Sequence, residues 1–213
     1  MKAIWLAVVM TFAVGSVVWG QTATKTEPQI PLIQFDNCPL LAAIENLARE
    51  AEFNITIDPQ IAAAGSPTSA SLLTGRWENL TAKEALDRIL KARGLFLVAN
   101  PQTGVNKVTA TNSPPRVFAK DFVESSKDVI PLIRMDYAPL EVAMADLGAK
   151  AGMTFQLNPK LSDPSKPSTG RISVSVRFSN LTASQAVAAI CDQHNLEITK
   201  SDKTGVWAVS PGK

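Results

Sequence analysis

Apolar side chains at Leu40, Ile44, Leu47, Ala48 and Ala51 recur every three or four residues, the spacing that lines up one stripe of an α-helix. Just beyond, Phe53, Ile55 and Ile57 alternate with Asn54 and Thr56 and stop at Asp58-Pro59, the pattern of a short strand closed by a turn. The same succession returns at an offset of 100, with Leu140, Met144, Leu147, Gly148 and Ala151 and then Met153, Phe155 and Leu157 ahead of Asn158-Pro159. The alternation is clearest where Ile172, Val174, Val176 and Phe178 are interleaved with Ser173, Ser175 and Arg177, a strand with one buried face. The matching stretch of the first copy carries Ser71, Leu73, Gly75 and Trp77, and Gly75 there implies a bulge or a close approach of backbone.

The repetition is therefore of elements and not of a single phrase. IPLIQFDNCPL from Ile30 and IPLIRMDYAPL from Ile130 open the copies, with Pro39 and Pro139 at a helix start, where proline lacks only an amide that would have no partner anyway. Each copy then starts a second helix on the same words, Asn79-Leu-Thr-Ala and Asn180-Leu-Thr-Ala. Thr81 with Glu84, and Thr182 with Gln185, have the spacing of a capping box, in which side chain and backbone satisfy each other reciprocally. Gly94 and Asn195 end these helices, the residue types that best accept a left-handed backbone. Two further strands close each copy, 95–99 and 105–110, then 196–200 and 206–210, joined by loops 101–104 and 202–205. The expected fold is α+β: two tandem small domains, each β-α-β-β-α-β-β with two helices packed on small sheets, over 30–110 and 130–210. Residues 111–129, with Ser113-Pro-Pro115, read as a linker carrying one short strand at 116–118.

Composition changes this picture only at the N-terminus. The 213 residues are 46% hydrophobic and 19% charged with net charge +2, an ordinary globular balance. Residues 1–20 have Lys2, an apolar run from Ala3 to Val14, then Gly15, Ser16 and a small residue at Gly20, the pattern of a signal peptide. Its removal leaves 20 basic and 19 acidic residues, a net charge of +1. After cleavage no run is long and apolar enough to span a bilayer, so an exported, periplasmic protein is expected. Basic residues are interleaved with acids, as in Lys83-Glu84 and Asp87-Arg88, so no nucleic-acid partner is expected. Cys38 and Cys191 match Ala138 and Leu90, small apolar core positions, and a bridge between them would staple the two copies together.

Candidate chemistry is sparse. His194, the one histidine, falls in the last turn of a helix, where a positive group suits the negative end of the dipole. Asp36 and Asp136 recur ahead of a helix start and read as caps of its free amides. No catalytic constellation, metal-ligand spacing or cofactor motif is recognised, so catalytic residues, metal and cofactor are all expected to be none and the chain is read as a non-enzyme. Trp207 stands where the first copy has Asn106, a polar position. That makes it a candidate for exposure on the last strand and for contact with a partner; the alternative is that it covers the edge of its own core.

Asp-x-x-Pro-Leu opening one helix and Asn-Leu-Thr-Ala-x-x-Ala opening the next resemble the secretin and TonB-receptor short N-terminal domain, here in two tandem copies. The resemblance covers nearly all of the chain after the signal. It implies a periplasmic docking module of an envelope secretion or TonB-linked transport and signalling system. The partner it implies is a secretin, a TonB-dependent receptor or an inner-membrane regulator. Loops 58–71 and 158–171 are longer than that family's pattern. A small molecule or cell-wall glycan held between the two copies is the other function in view.

Overall fold

A bulge and a proline carry each copy from its first strand into its first helix. Strand β1 (Ile30–Pro39) pairs antiparallel with β3 (Leu72–Leu80), and β6 (Val129–Pro139) with β8 (Ser173–Thr182). The register slips between Phe35 and Cys38 and again between Met135 and Ala138, where Asn37 and Tyr137 turn to φ of 48° and 53°. Helices α1 (Leu40–Glu50) and α5 (Leu140–Ala151) follow at once. Their first amides are satisfied by carbonyls across the ribbon, Leu40 N to Ser71 O and Leu140 N to Ile172 O, both at 2.9 Å. The capping role expected of Asp36 and Asp136 is therefore corrected. Pro39 and Pro139 occupy the cap positions without a side-chain bond, and Asp136 instead accepts from Arg134 Nε at 2.8 Å.

The computed structural model describes residues 28–63, 65–161, 172–201 and 204–212; the signal segment, most of loop 158–171 and part of loop 202–205 lie outside them. The second helices, α3 (Ala82–Ala92) and α6 (Ala183–Gln193), begin on complete capping boxes. Glu84 N donates to Thr81 Oγ1 at 3.2 Å and Thr81 N to Glu84 Oε2 at 2.9 Å, and Thr182 with Gln185 repeats both distances. Gly94 and Asn195 beyond them have φ of 64° and 54°. In the first half β2 (Asn54–Ile57), β5 (Val105–Thr109) and β4 (Phe96–Asn100) form a sheet in the order β2-β5-β4. The second half repeats it with β7 (Phe155–Leu157), β10 (Trp207–Pro211) and β9 (Leu196–Lys200) in the order β7-β10-β9. One short helix, α2 (Pro59–Ala62), follows β2.

The chain is thus α+β, with four small sheets and packed helices in two similar units. Each unit gathers its two-stranded ribbon, its helix pair and its three-stranded sheet around a core of its own. Ile33, Leu40, Ile44, Leu86, Leu90 and Val108 are central to the first, and Ile133, Leu140, Met144, Phe178 and Ile190 to the second. Gly75 marks a close approach: a Cβ there would lie 2.5 Å from the Trp77 ring, which meets Phe35 edge to face at 6.2 Å. The bulge itself is in the partner strand.

The segment read as a linker is part of the second core. No strand forms at 116–118. Helix α4 (Lys120–Val123) follows instead, and Phe118, Phe122 and Val123 are all buried in the second-half cluster. The reason is aromatic packing: the Phe122 ring lies 4.9 Å from Trp207 and 6.2 Å from Phe155, a site that the preceding Ser113-Pro-Pro115 does not advertise.

Candidate functional site: the boundary between the halves

Side-chain amides stitch the halves together. Asn54, on β2 of the first half, donates from Nδ2 to Ser179 O at 2.9 Å and accepts from Ser179 N at 2.7 Å, so one carboxamide takes the place of a neighbouring strand at the edge of β8. Gln102, in the turn between β4 and β5, does the same to Phe118, donating to its carbonyl at 3.0 Å and accepting from its amide at 2.9 Å. Gln193 Nε2 reaches across to Ile57 O at 3.0 Å, and Asn100 Nδ2 to Arg116 O at 3.1 Å. Arg116 also donates to Asn195 Oδ1 and faces Glu197 at 3.6 Å. Val105 joins the second-half core from β5.

Between these clamps lies a half-open cleft of about 430 Å³. Its charged centre is Lys107 of β5, which donates to Asp192 O at 2.8 Å and has Asp58 Oδ2 at 3.7 Å and Asp192 Oδ1 at 3.8 Å. Asp58 is held in place because its Oδ1 accepts from Gln60 N at 2.9 Å, capping α2. Asp192 comes from the last turn of α6, so the helix carbonyls reinforce its attraction for the ammonium group. These three side chains are largely buried, which makes the cluster a structural joint whose charges are spent on one another. Thr109, Thr111, Ser113 and Asn195 add polar groups to the lining, beside Val98, Pro114, Pro115 and Ile172.

His194 sits at the same joint and corrects another expectation. Burial, helped by the neighbouring Lys107 and opposed by Asp58, lowers its pKa to about 4. It is therefore neutral at neutral pH and brings no positive charge to the helix end, and its Nε2 is buried without a hydrogen-bond partner. Cys191, one turn before, is fully buried and burial pushes its thiol far above the ordinary range; both cysteines are free. Trp207 is buried, not exposed: it fills the space beside Phe122, with Lys200 Nζ 5.3 Å from its ring, and this corrects its expected availability to a partner. Thr81, Glu84, Thr182 and Gln185 serve their helix starts and lie outside the cleft.

The signal for the boundary is in α6. At an offset of 101, Ser184, Ala188 and Ala189 replace Lys83, Asp87 and Arg88 of α3, and all three are buried. A helix that has lost its charged face is covered on both sides, and here Val123 O accepts from Ser184 Oγ at 2.7 Å while β2 covers the end. The contacts are not repeated at the chain's outer faces. Asn54, Lys107 and Asp192 correspond to Thr154, Ala208 and Lys91, so the boundary chemistry belongs to this one junction. Among the described residues no group of acidic, histidine or cysteine side chains has the arrangement of a metal site, and no helix is long and apolar enough to cross a membrane. No family model matches the chain, and no curated protein matches it.

Proposed function

We propose that the chain is an exported adaptor of the cell envelope that works by docking other proteins on the outer surfaces of its two joined halves. The observation that carries this reading is the boundary itself. Polar and charged groups that elsewhere would face a substrate are engaged across the joint, while the two ribbons, β1 with β3 and β6 with β8, are left facing outward. They carry Leu32, Leu72, Leu132 and Val129 among the exposed large apolar residues. Two-stranded ribbons offer side chains and, away from the β8 edge that Asn54 holds at Ser179, unpaired backbone groups to an incoming segment. The resemblance to the secretin and TonB-receptor short N-terminal domain supports a periplasmic location and a secretin, a TonB-dependent receptor or an inner-membrane regulator as partner. The test is photo-crosslinking in the producing cell with benzoylphenylalanine placed singly at Leu32, Leu72, Val129 and Leu132. A discrete adduct with one envelope protein is expected, and recovery of abundant proteins alone would overturn the reading.

The cleft favours a second reading, a small polar ligand or glycan fragment bound by Thr109, Thr111, Ser113 and Asn195. A thermal-shift screen separates the two: saturable stabilisation by a saccharide, lost in Thr111→Val, supports the cleft and not the ribbons.

A further inference from the structure

The two halves act as controls for each other, and they differ on one face. In the first ribbon, Gln34 stands opposite Arg76, and Arg76 pairs with Glu78 at 2.7 Å. In the second, Arg134 stands directly opposite Arg177, two like charges on neighbouring strands, an arrangement that works against the ribbon's own pairing. Arg134 has Asp136 at 2.8 Å, but Arg177 has no ion-pair partner among the described residues. The position of Glu78 is taken by Ser179, whose backbone is held by Asn54.

At the bulge beside these arginines the halves differ again. Asn37 holds the left-handed conformation in the first half, as asparagine readily does. In the second half the residue is Tyr137, with φ 53° and 83% of its surface exposed. Neither backbone preference nor burial accounts for an aromatic there. Its amide donates to Ser175 Oγ at 3.0 Å, which fixes it two residues along β8 from Arg177, and Leu132 lies exposed on the far side of Arg134.

We infer that the outer face of the β6 and β8 ribbon, made by Arg134, Arg177, Tyr137 and Leu132, is the docking face, and that it takes an extended acidic segment of a partner protein. Arg134 already has Asp136 as its counter-charge, so a partner's carboxylate would lie on Arg177, relieve what repulsion remains between the two guanidinium groups and bind in the forked geometry arginine favours, and an exposed tyrosine beside it supplies contact area with few rotors to immobilise. This deepens the docking proposal and rests on it.

The experiment uses the full chain carrying benzoylphenylalanine at Leu132, crosslinked in the producing cell, with the partner's crosslinked peptide read by mass spectrometry. An adduct to a peptide rich in aspartate and glutamate is expected, falling at least tenfold in Arg177→Gln and several-fold in Tyr137→Asn, and unchanged in Arg76→Gln, with circular dichroism unaltered in all three. An adduct that survives Arg177→Gln overturns the inference, as does a neutral or basic peptide, a nucleic acid or a lipid in its place. Adducts from Leu32 or Leu72 with none from Leu132 would move docking to the first half and leave the docking reading standing. No adduct from any position would remove both.

Discussion

One carboxamide, that of Asn54, holds both the amide and the carbonyl of Ser179, 125 residues away, and so closes the edge of β8 with a side chain from the other half. Both bonds are solvent-exposed, so their loss in Asn54→Ala is expected to cost about 1 kcal/mol. The cost falls on the coupling of the halves more than on either core. Hydrogen exchange resolves this: protection should drop in β2 and β8 while α1 and α5 keep theirs.

Lys107 is the cation between Asp58 and Asp192. Lys107→Met leaves two largely buried carboxylates facing each other without a counter-charge, with an expected loss of roughly 2 to 3 kcal/mol in denaturant unfolding. The double variant with Asp192→Asn should recover part of that loss.

His194 links stability to pH with a definite sign. Its pKa of about 4 in the folded chain lies below the ordinary value of 6.5, so the unfolded chain binds the proton more readily. The stability carried by the neutral ring is fully present above about pH 6.5 and is lost as pH falls toward 4. A loss on the order of 2 kcal/mol is expected, allowing for partial exposure. Thermal melts of His194→Gln should show a shallower dependence over that window than the parent chain.

Phe122 is buried in the second core although it precedes the second copy of the repeat. Phe122→Ala should cost about 3 to 5 kcal/mol. Correspondingly, a fragment beginning at residue 111 should give a dispersed amide spectrum, and one beginning at residue 130, which lacks α4, should not.

Tyr137 holds a left-handed backbone with its ring in solvent. Tyr137→Asn should therefore stabilise the chain, by about 1 kcal/mol, because asparagine adopts that conformation at less cost. A stabilising substitution that weakens docking would mark the tyrosine as kept for contact.

What could be read from the sequence was local. The helix stripes, the capping boxes at Thr81 and Thr182 and the left-handed stops at Gly94 and Asn195 depend on residues within a few positions of one another, and each appears where its chemistry puts it. The boundary depends on Asn54 with Ser179, Ile57 with Gln193 and Lys107 with Asp192, pairs far apart in the chain and unmatched between the copies. Of the two readings of Trp207, the core one holds and the exposed one does not, because Phe122, which covers it, precedes the repeat. Asp36 and Asp136, placed ahead of a helix start, do not cap it because the first helical amides find a carbonyl across the ribbon, and a carboxylate nearby is then not needed. The legible trace of the joint was the uncharged face of α6, Ser184, Ala188 and Ala189.

Residual dipolar couplings measured on the amides of both halves test most directly whether the amide clamps and the Lys107 joint make them one rigid platform. A single alignment tensor should fit β2, β5 and α3 together with β8, β10 and α6. Two tensors of different magnitude or orientation would show the halves moving independently and would contradict it.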